Sequence, residues 1–202
     1  MSGSHLQNAA TSAMSELRAA TWPSHQRLEK RIDIKARLAT VSSYREHIER
    51  MWGFYVSIEA RLASGVFGDW ITDYAARHKA PLLERDILAL GADSSVFEVL
   101  PRCAFLPACN DPQAAFGCAY VLEGATLGGR ILLPLVETRL GLTASHGATF
   151  LDSYGSAVGD MWHRFEHALE LCCPTEQYRN RAAESAAATF SALELWLCDA
   201  RR

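Results

Sequence analysis

Apolar residues recur every three or four positions along most of the chain, which is the spacing of one face of an α-helix. The clearest stripe consists of Tyr44, Ile48, Met51, Trp52, Tyr55, Ile58 and Leu62. Further helices are predicted over residues 12–32, 81–90, 112–140, 148–154, 160–172 and 175–200. No segment alternates polar and apolar residues for long enough to predict a strand. The pattern therefore predicts an all-α fold, a single-domain bundle of roughly seven or eight helices.

Capping residues and prolines predict where individual helices start, bend and stop. Ser42 or Ser43 is expected to cap the helix with the clearest stripe, and Glu46, three residues after Ser43, would complete a capping box. Pro23 lies inside the first helix, where we expect a bend in one continuous helix. Pro134 lies inside the longest helix, where we expect a kink or a break.

The composition is that of an ordinary globular protein, and it argues against nucleic acid and membrane as partners. The 202 residues are 49% hydrophobic and 21% charged with a formal net charge of −3, so no basic excess indicates nucleic-acid binding. No apolar run reaches the roughly 18 residues of a membrane-spanning helix, so no membrane partner is expected. Residues 1–11 are polar and small, and we expect them to be a disordered tail before a helical domain over residues 12–202.

Cysteine usage indicates a reducing compartment. Six cysteines are present without any Cys-x-x-Cys pair, which argues against both a disulfide framework and a zinc ribbon. Several of them lie in apolar helical stretches, where a buried free thiol is the usual state. We therefore expect a cytoplasmic protein.

The stretch from Tyr120 to Arg130 carries three glycines inside a long apolar helix. A glycine in a helix interior costs roughly 0.5–1 kcal/mol relative to alanine, so Gly124, Gly128 and Gly129 need a reason. Gly124 and Gly128 are four residues apart and therefore lie on one face. A face without Cβ atoms lets a broad, flat partner approach the backbone. That partner is either another helix or a planar cofactor.

Four polar residues near the start of the chain share one helix face at three- and four-residue spacing: Arg18, Thr21, His25 and Glu29. A neutral imidazole on the inner face of a helix is a suitable iron ligand. Glu29, one turn after His25, could hold the other ring nitrogen and so fix the tautomer. The alternative is a core histidine whose hydrogen bonds are satisfied within the protein.

A second histidine cluster, His163-Arg-Phe-Glu166-His167, has the spacing of the inverted zinc-protease motif. Its two histidines could bind zinc with Glu166 as general base, although a third ligand would have to come from elsewhere. The alternative is a solvated helix face. No Glu-x-x-His pair occurs in the sequence, so a di-iron carboxylate site is not predicted.

The first histidine cluster and the glycine stretch, taken together and in this order, resemble the haem oxygenase family. The matching residues are Leu17-Arg18-x-x-Thr21-x-x-x-His25 and Tyr120-Val-Leu-Glu-Gly124-x-x-x-Gly128-Gly129. A third segment, from Ala187 to Leu197, is also similar. The resemblance covers nearly the whole chain after residue 12. It is greatest to the bacterial branch, which includes enzymes that accompany bacteriophytochromes.

The resemblance implies an all-α fold in which haem lies between a proximal and a distal helix. His25 would be the proximal ligand of the haem iron, and Gly124, Gly128 and Gly129 would let the distal helix lie against the porphyrin. Haem would be both cofactor and substrate, converted with dioxygen to biliverdin, ferrous iron and carbon monoxide. Electrons would come from a separate reductase of the ferredoxin or flavin type, and a bacteriophytochrome would be a candidate acceptor of biliverdin.

The resemblance also assigns residues around the rim of the haem. Arg18 matches a basic position that pairs with haem propionates, which suits the bidentate geometry of a guanidinium. Tyr120 is expected to reach the same edge, and Phe190 is expected to pack near the macrocycle.

One position departs from the family pattern. In the animal enzymes the residue after the first distal glycine is an aspartate that organises water, whereas this chain has Ala125. A protonating network must then be built otherwise, from water held by backbone and a remote polar group such as Arg130 or His146. Three alternatives stay open: a non-catalytic haem carrier or sensor on the same fold, a zinc hydrolase, and a haem-free relative that acts on a thiamine- or quinone-type substrate.

Overall fold

The computed structural model describes residues 12–64 and 66–199, and within those ranges it contains nine α-helices and no strand. The helices are α1 Ala13–Ile32, α2 Ile34–Arg37, α3 Val41–Ala63, α4 Ala80–Ala89, α5 Val96–Val99, α6 Pro112–Leu140, α7 Thr149–Asp152, α8 Val158–Cys172 and α9 Glu176–Cys198. Short 3₁₀ helices lie at Phe67–Asp69, Tyr74–Arg77 and Gly155–Ala157. The all-α prediction is confirmed. The tail predicted over residues 1–11 lies outside the described residues.

The described chain has more helices than predicted because α2 and α5 are single turns. Each has four residues, which is too short for an apolar period to show. The short helix predicted over residues 148–154 corresponds to α7, which also has four residues. The predicted bounds of α1, α4, α6, α8 and α9 agree with the structure to within two residues at each end.

The start of α3 is set by a capping pair that differs from the predicted one. The Thr40 hydroxyl accepts a hydrogen bond from the Ser43 N–H at 3.1 Å, and the Ser43 hydroxyl accepts one from the Thr40 N–H at 3.1 Å. The prediction of a cap at Ser42 or Ser43 with Glu46 is wrong, because Ser43 is the return partner of the box. The capping box at Thr40 was missed because its return partner is a serine and not the usual glutamate.

Two prolines lie inside long helices without ending them. Helix α1 passes through Pro23 as one helix, as predicted. Helix α6 starts after Asp111, which accepts the Ala114 N–H at 2.7 Å, and continues past Pro134 to Gly141, where φ is +69°. The predicted break at Pro134 is not present. Pro134 is exposed, so the carbonyl that it leaves without a donor can bind water.

Helix α6 is also apolar enough to cross a membrane by length and composition, which the sequence pattern did not predict. An 18-residue window of it has a mean hydropathy of 1.3, and 39% of that window is buried. Helix α6 nevertheless packs against α7, α8 and α9. It is therefore a core helix of this fold that leaves part of its apolar surface uncovered.

Helix α9 is the central helix, and α1 runs along it in the same direction. The Arg179 side chain donates to Glu16 at 2.8 Å near one end of this contact. The Arg27 side chain donates to Glu194 at 2.6 Å near the other end. Residue numbers therefore rise together along the two helices, which makes them parallel neighbours.

Helix α6 also runs parallel to α9 and contacts a different side of it. The Ser185 hydroxyl donates to the Ala114 carbonyl at 2.8 Å, and the Thr189 hydroxyl lies 3.4 Å from the Cys118 Sγ. Ala114 and Cys118 are four residues apart on α6, and their partners Ser185 and Thr189 are four residues apart on α9. Residue numbers therefore rise together along these two helices as well.

We infer that a groove remains between α1 and α6, with α9 as its floor. Thr189 contacts Cys118 of α6, whereas the next residue, Phe190, places its ring 5.7 Å from the His25 ring of α1. Consecutive residues of a helix point about 100° apart, so α1 and α6 lie on two sides of α9 at nearly a right angle. Each of them packs extensively on α9 and not on the other.

The side of α6 away from α9 is covered by α7, which Asp86 holds in place. Asp86, on α4, is fully buried and accepts the N–H groups of Thr149 and Phe150, both at 2.8 Å. These are the first N–H groups of α7, which have no acceptor within the helix. Burial raises the pKa of Asp86, and the two backbone bonds oppose that rise.

Asp86→Ala is expected to lower the free energy of unfolding by roughly 2–3 kcal/mol, because two buried N–H groups lose their acceptor. Urea denaturation followed by circular dichroism measures the loss. Asp93→Ala is the control, since Asp93 is exposed and accepts a single bond, from the Ser95 N–H. Its loss is expected to be clearly smaller than that of Asp86→Ala. Equal losses in the two variants would contradict the role of Asp86.

Candidate functional site

His25 lies on the α1 wall of the groove, and its side chain is 44% exposed. Trp22, one turn earlier on α1, lies nearly parallel to the imidazole, with ring centroids 5.9 Å apart and an interplanar angle of 7°. Phe190 of α9 meets the imidazole edge-on at an angle of 76°. Two aromatic rings therefore restrict the orientation of the imidazole while leaving part of it open to the groove.

The two nitrogens of His25 have different surroundings. Nδ1 is buried and has no hydrogen-bond partner among the described residues, and the nearest carboxylate oxygen, from Glu29, is 3.7 Å away. Nε2 is not buried and makes no hydrogen bond to the described residues. The exposed part of the ring therefore includes Nε2, which is free to bind an external ligand. The predicted Glu29 contact is close but is not a hydrogen bond.

Arg18 is the other member of the predicted polar face that remains available. Its side chain is exposed, and in the described part of the chain its guanidinium has no ion pair. Arg27 and Arg31, further along α1, both bind Glu194 instead. Thr21 is buried and donates its hydroxyl to the Leu17 carbonyl at 2.7 Å, so it completes the helix surface and takes no part in the groove.

Helix α6 presents an open apolar stripe, which we call the glycine face: Gly124, Leu127, Gly128, Ile131 and Leu135. At about 100° per residue these five positions fall within roughly 100° of arc. A Cβ added at Gly124 or Gly128 would have no atom within 4 Å. Leu127, Leu135 and especially Ile131, at 73%, are exposed. The glycine face is therefore bare of both Cβ atoms and covering protein at its centre.

Gly129 belongs to a different face of α6. Five residues after Gly124, it points about 140° away from it. A Cβ at Gly129 would lie 2.4 Å from the Leu151 carbonyl oxygen, which is closer than any real contact. The prediction that Gly129 faces the same flat partner as Gly124 and Gly128 is therefore wrong, because the backbone of α7 occupies that position.

The glycine face points to the side of the bundle where α1 packs. Tyr120 lies about 40° to one side of Gly124, and Gly117 about 20° to the other side. Tyr120 contacts Trp162 of α8, with ring centroids 6.1 Å apart, and a Cβ at Gly117 would lie 2.2 Å from a carbonyl oxygen of α9. Helix α1 packs on both α8 and α9. We infer that the glycine face and the imidazole border the same groove.

The remote polar groups predicted to serve this groove lie elsewhere. Arg130 donates to the Gly155 carbonyl at 3.2 Å, and six residues separate it from Gly124, which places it about 120° away on α6. His146 is exposed in the turn that follows Leu140, where its backbone pairs with that of Thr143. Arg130 therefore points away from the glycine face, so the predicted network through it is not formed, and the role predicted for His146 stays a prediction.

The second histidine cluster is a solvated surface of α8. His163 is 77% exposed, and its Nδ1 lies 3.6 Å from a Glu166 oxygen. His167, one turn on, is also exposed. Within the described residues no group of three His, Cys, Asp or Glu side chains is arranged to hold a metal ion. The zinc-hydrolase alternative therefore has no third ligand.

Sequence reasoning missed a buried charged network behind the glycine face, centred on Glu123. The Glu123 carboxylate accepts from Arg77 at 2.8 Å and from the Tyr154 hydroxyl at 2.9 and 3.1 Å. Arg77 is held in turn by Asp73, at 2.5 and 3.0 Å, and donates to the Met161 carbonyl. The feature of the sequence that could have indicated this network is the carboxylate of Glu123 inside an apolar helix.

The same network contains a buried lysine. Lys79 donates to the Arg77 carbonyl at 2.7 Å and lies over the Tyr154 ring at 3.8 Å. Burial lowers the pKa of Lys79 to about 8 and raises the pKa of Glu59, whose carboxylate accepts the Lys79 N–H, to about 7. Burial also raises the pKa of Glu123, while Lys79 and Arg77 lower it. We regard Glu123 as ionised, because two donors satisfy its carboxylate.

Two glycine variants separate the open face from the packed face. In ligand-free protein, Gly124→Ala is expected to raise the free energy of unfolding by about 0.5–1 kcal/mol, because alanine is the better helix former and nothing obstructs it. Gly129→Ala is expected to lower the free energy of unfolding by about 1–3 kcal/mol, because the Leu151 backbone must move. Urea unfolding measures both changes. Changes of the same sign would contradict the assignment of the two faces.

Comparisons with known proteins show the family of this chain and proteins that share its fold. The profile of the haem oxygenase family matches residues 11–198. A protein described as heme oxygenase from Xanthomonas campestris pv. campestris (strain 8004) is 28% identical over 149 residues, which cover 73% of this chain and 81% of that protein.

Two solved structures have a similar fold. The NO- and CO-bound heme oxygenase from Neisseria meningitidis has a TM-score of 0.74 at 18% identity, covering 93% of this chain and 91% of that one. The heme oxygenase from Leptospira interrogans has a TM-score of 0.77 at 15% identity, covering 94% of this chain and 100% of that one. Since the family profile spans nearly all of the sequence, the chain belongs to the haem oxygenase family.

Proposed function

We propose that this protein binds haem in the groove between α1 and the glycine face and degrades it oxidatively to biliverdin, ferrous iron and carbon monoxide. One pairing carries the proposal: an accessible imidazole nitrogen at His25, and a helix face without Cβ atoms or covering protein at Gly124 and Gly128. Membership of the family supports the same reaction.

The residues around the groove fit the chemistry of haem. A porphyrin is flat and largely apolar, and the exposed Leu127 and Ile131 offer apolar contact beside the bare centre of the glycine face. Phe190 adds an aromatic ring at the floor of the groove. The two propionates are anionic, and the guanidinium of Arg18, which forms no ion pair with the described residues, suits a carboxylate in bidentate geometry. Tyr120 lies at the end of the glycine face that is nearest α8.

His25 would be the protein ligand of the haem iron through Nε2. Trp22 and Phe190 already restrict its ring plane, so little further ordering is needed on binding. Glu29, 3.7 Å from Nδ1, would accept a hydrogen bond from the N–H of that nitrogen after a small side-chain movement and so fix the tautomer of the ligand. When bound, haem supplies the redox chemistry of its iron and is itself the molecule that is oxidised.

The glycine face would leave room above one side of the ring. Gly124 and Gly128 keep side-chain atoms out of that space, and Leu127 and Ile131 border it with apolar side chains. Ala125, in the place of an aspartate, contributes no polar group of its own.

The same proposal includes partners and a compartment. Degradation requires electrons, which we assign to a separate protein of the ferredoxin or flavin-reductase type. A bacteriophytochrome is a suitable acceptor of the biliverdin product. All six cysteines lie in the described residues and are free thiols, which is consistent with a reducing cytoplasm.

A hemin titration followed by reduction tests the activity. Purified protein is mixed with hemin, and ascorbate is added under air. The Soret absorbance is expected to decay while the broad red absorbance of biliverdin grows, and chromatography identifies the product. Tight binding of a haem that keeps its Soret band through the reaction would contradict the proposal and favour a non-catalytic haem carrier.

His25→Ala is expected to weaken hemin binding by at least about tenfold, because the iron loses its protein ligand. Added imidazole is expected to restore part of the absorption spectrum of the complex. His163→Ala is the matched control, since His163 is an exposed histidine on α8. Unchanged hemin affinity in His25→Ala, or an equal loss in the control, would exclude His25 as the iron ligand.

A further inference from the structure

One short segment, residues 151–155, holds α6 from the sides that lie away from the groove. Its Leu151 carbonyl oxygen occupies the place that a Cβ of Gly129 would need. Its Tyr154 hydroxyl donates to both oxygens of Glu123, at 2.9 and 3.1 Å. These two contacts lie on faces of α6 that point about 120° apart. Together they oppose rotation of the helix about its own axis.

Residues 151–155 make a third contact further along α6. The Gly155 carbonyl accepts from the Arg130 side chain at 3.2 Å. Arg130 is seven residues beyond Glu123, which corresponds to about 10 Å along the helix axis. Contacts at both ends of that length restrict the tilt of α6 as well as its rotation.

The backbone of the segment is shaped to make these contacts. Ser153 has φ +51° and ψ −100°, a combination that residues other than glycine rarely adopt. Such a conformation persists only where the surrounding structure enforces it. The residue after Ser153 is Tyr154, whose hydroxyl reaches Glu123, so the unusual turn directs that side chain onto α6.

Glu123 is anchored on its other side as well. Its side chain is 5% exposed, and Arg77 donates to it at 2.8 Å while Asp73 holds Arg77. Glu123 immediately precedes Gly124 and points about 100° away from it. A helix face that no protein covers cannot be held by its own contacts, so its direction must be set by neighbouring faces such as this one.

We propose that Tyr154 and Glu123 are positioning residues that set the rotation of α6 and thereby determine which ring carbon of haem lies below the gap at Gly124 and Gly128. The inference rests on the proposed function. Neither residue lies on the glycine face, so they act only through the placement of the helix. A looser helix would present its gap to more than one ring position, which would yield a mixture of biliverdin isomers.

Tyr154→Phe tests the inference, because it keeps the ring and removes only the hydroxyl. In haem-free protein, amide hydrogen exchange in α6 around residues 120–130 is expected to become at least tenfold faster, since a hydrogen bond to a buried charge is lost. During haem degradation, the isomer composition of biliverdin is expected to shift from that of the wild type towards a mixture. Hemin affinity is expected to change by less than about threefold.

Tyr178→Phe is the matched control, because Tyr178 is an exposed tyrosine on α9 and makes no side-chain hydrogen bond in the described chain. It should leave both exchange and isomer composition unchanged. Glu123→Gln provides a second variant that keeps the shape of the side chain, and it is expected to shift the isomer composition in the same way as Tyr154→Phe.

An isomer composition equal to that of the wild type in Tyr154→Phe would overturn the inference, even if α6 exchanges faster. Unchanged exchange in haem-free Tyr154→Phe would overturn it as well, and this measurement does not depend on haem degradation. Failure of the wild-type protein to degrade haem would instead refute the proposed function, so the two failures are distinguishable.

Discussion

The close packing of α6 on α9 is the constraint on which the rest of the site depends. A Cβ at Gly117 would lie 2.2 Å from the Ala182 carbonyl oxygen and 2.9 Å from the Ala186 nitrogen, so only glycine permits this separation of the two helices. With α1 packed on another side of α9, the distance between α6 and α9 sets the width of the groove. Gly117 therefore determines the shape of a site that it does not line.

Four glycines of α6 thus serve three separate purposes. Gly117 lets α9 approach, Gly129 lets α7 approach, and Gly124 and Gly128 keep the groove empty. Each glycine lowers the helix propensity of α6, and at each position the neighbouring helix or the groove requires that a Cβ be absent. The arrangement also explains why α6 carries a buried carboxylate. A helix with one bare face needs directional contacts on its other faces, and the ion pair between Glu123 and Arg77 supplies such a contact.

The long helices and the two halves of the candidate site were predictable, because each is encoded locally. Apolar periodicity identifies α1, α3, α6, α8 and α9, and the spacing of His25 and of the glycines is visible without any partner. The role of Gly129 was not predictable, since it depends on where Leu151 passes. The network of Glu123 was hidden for the same reason, because Arg77 and Tyr154 come from distant parts of the chain.

The departure at Ala125 belongs to a wider property of the groove. All five residues of the glycine face are apolar, and Glu123 and Arg130, which lie close to Gly124 and Gly128 in the sequence, are bound to groups behind the helix. With Ala125 where the animal enzymes have an aspartate, α6 places no carboxylate on the bare face. Since Leu127 and Ile131 at the border of that face are exposed, solvent is the nearest source of protons there. The helix shapes the groove, and its glycine face offers no titratable side chain of its own.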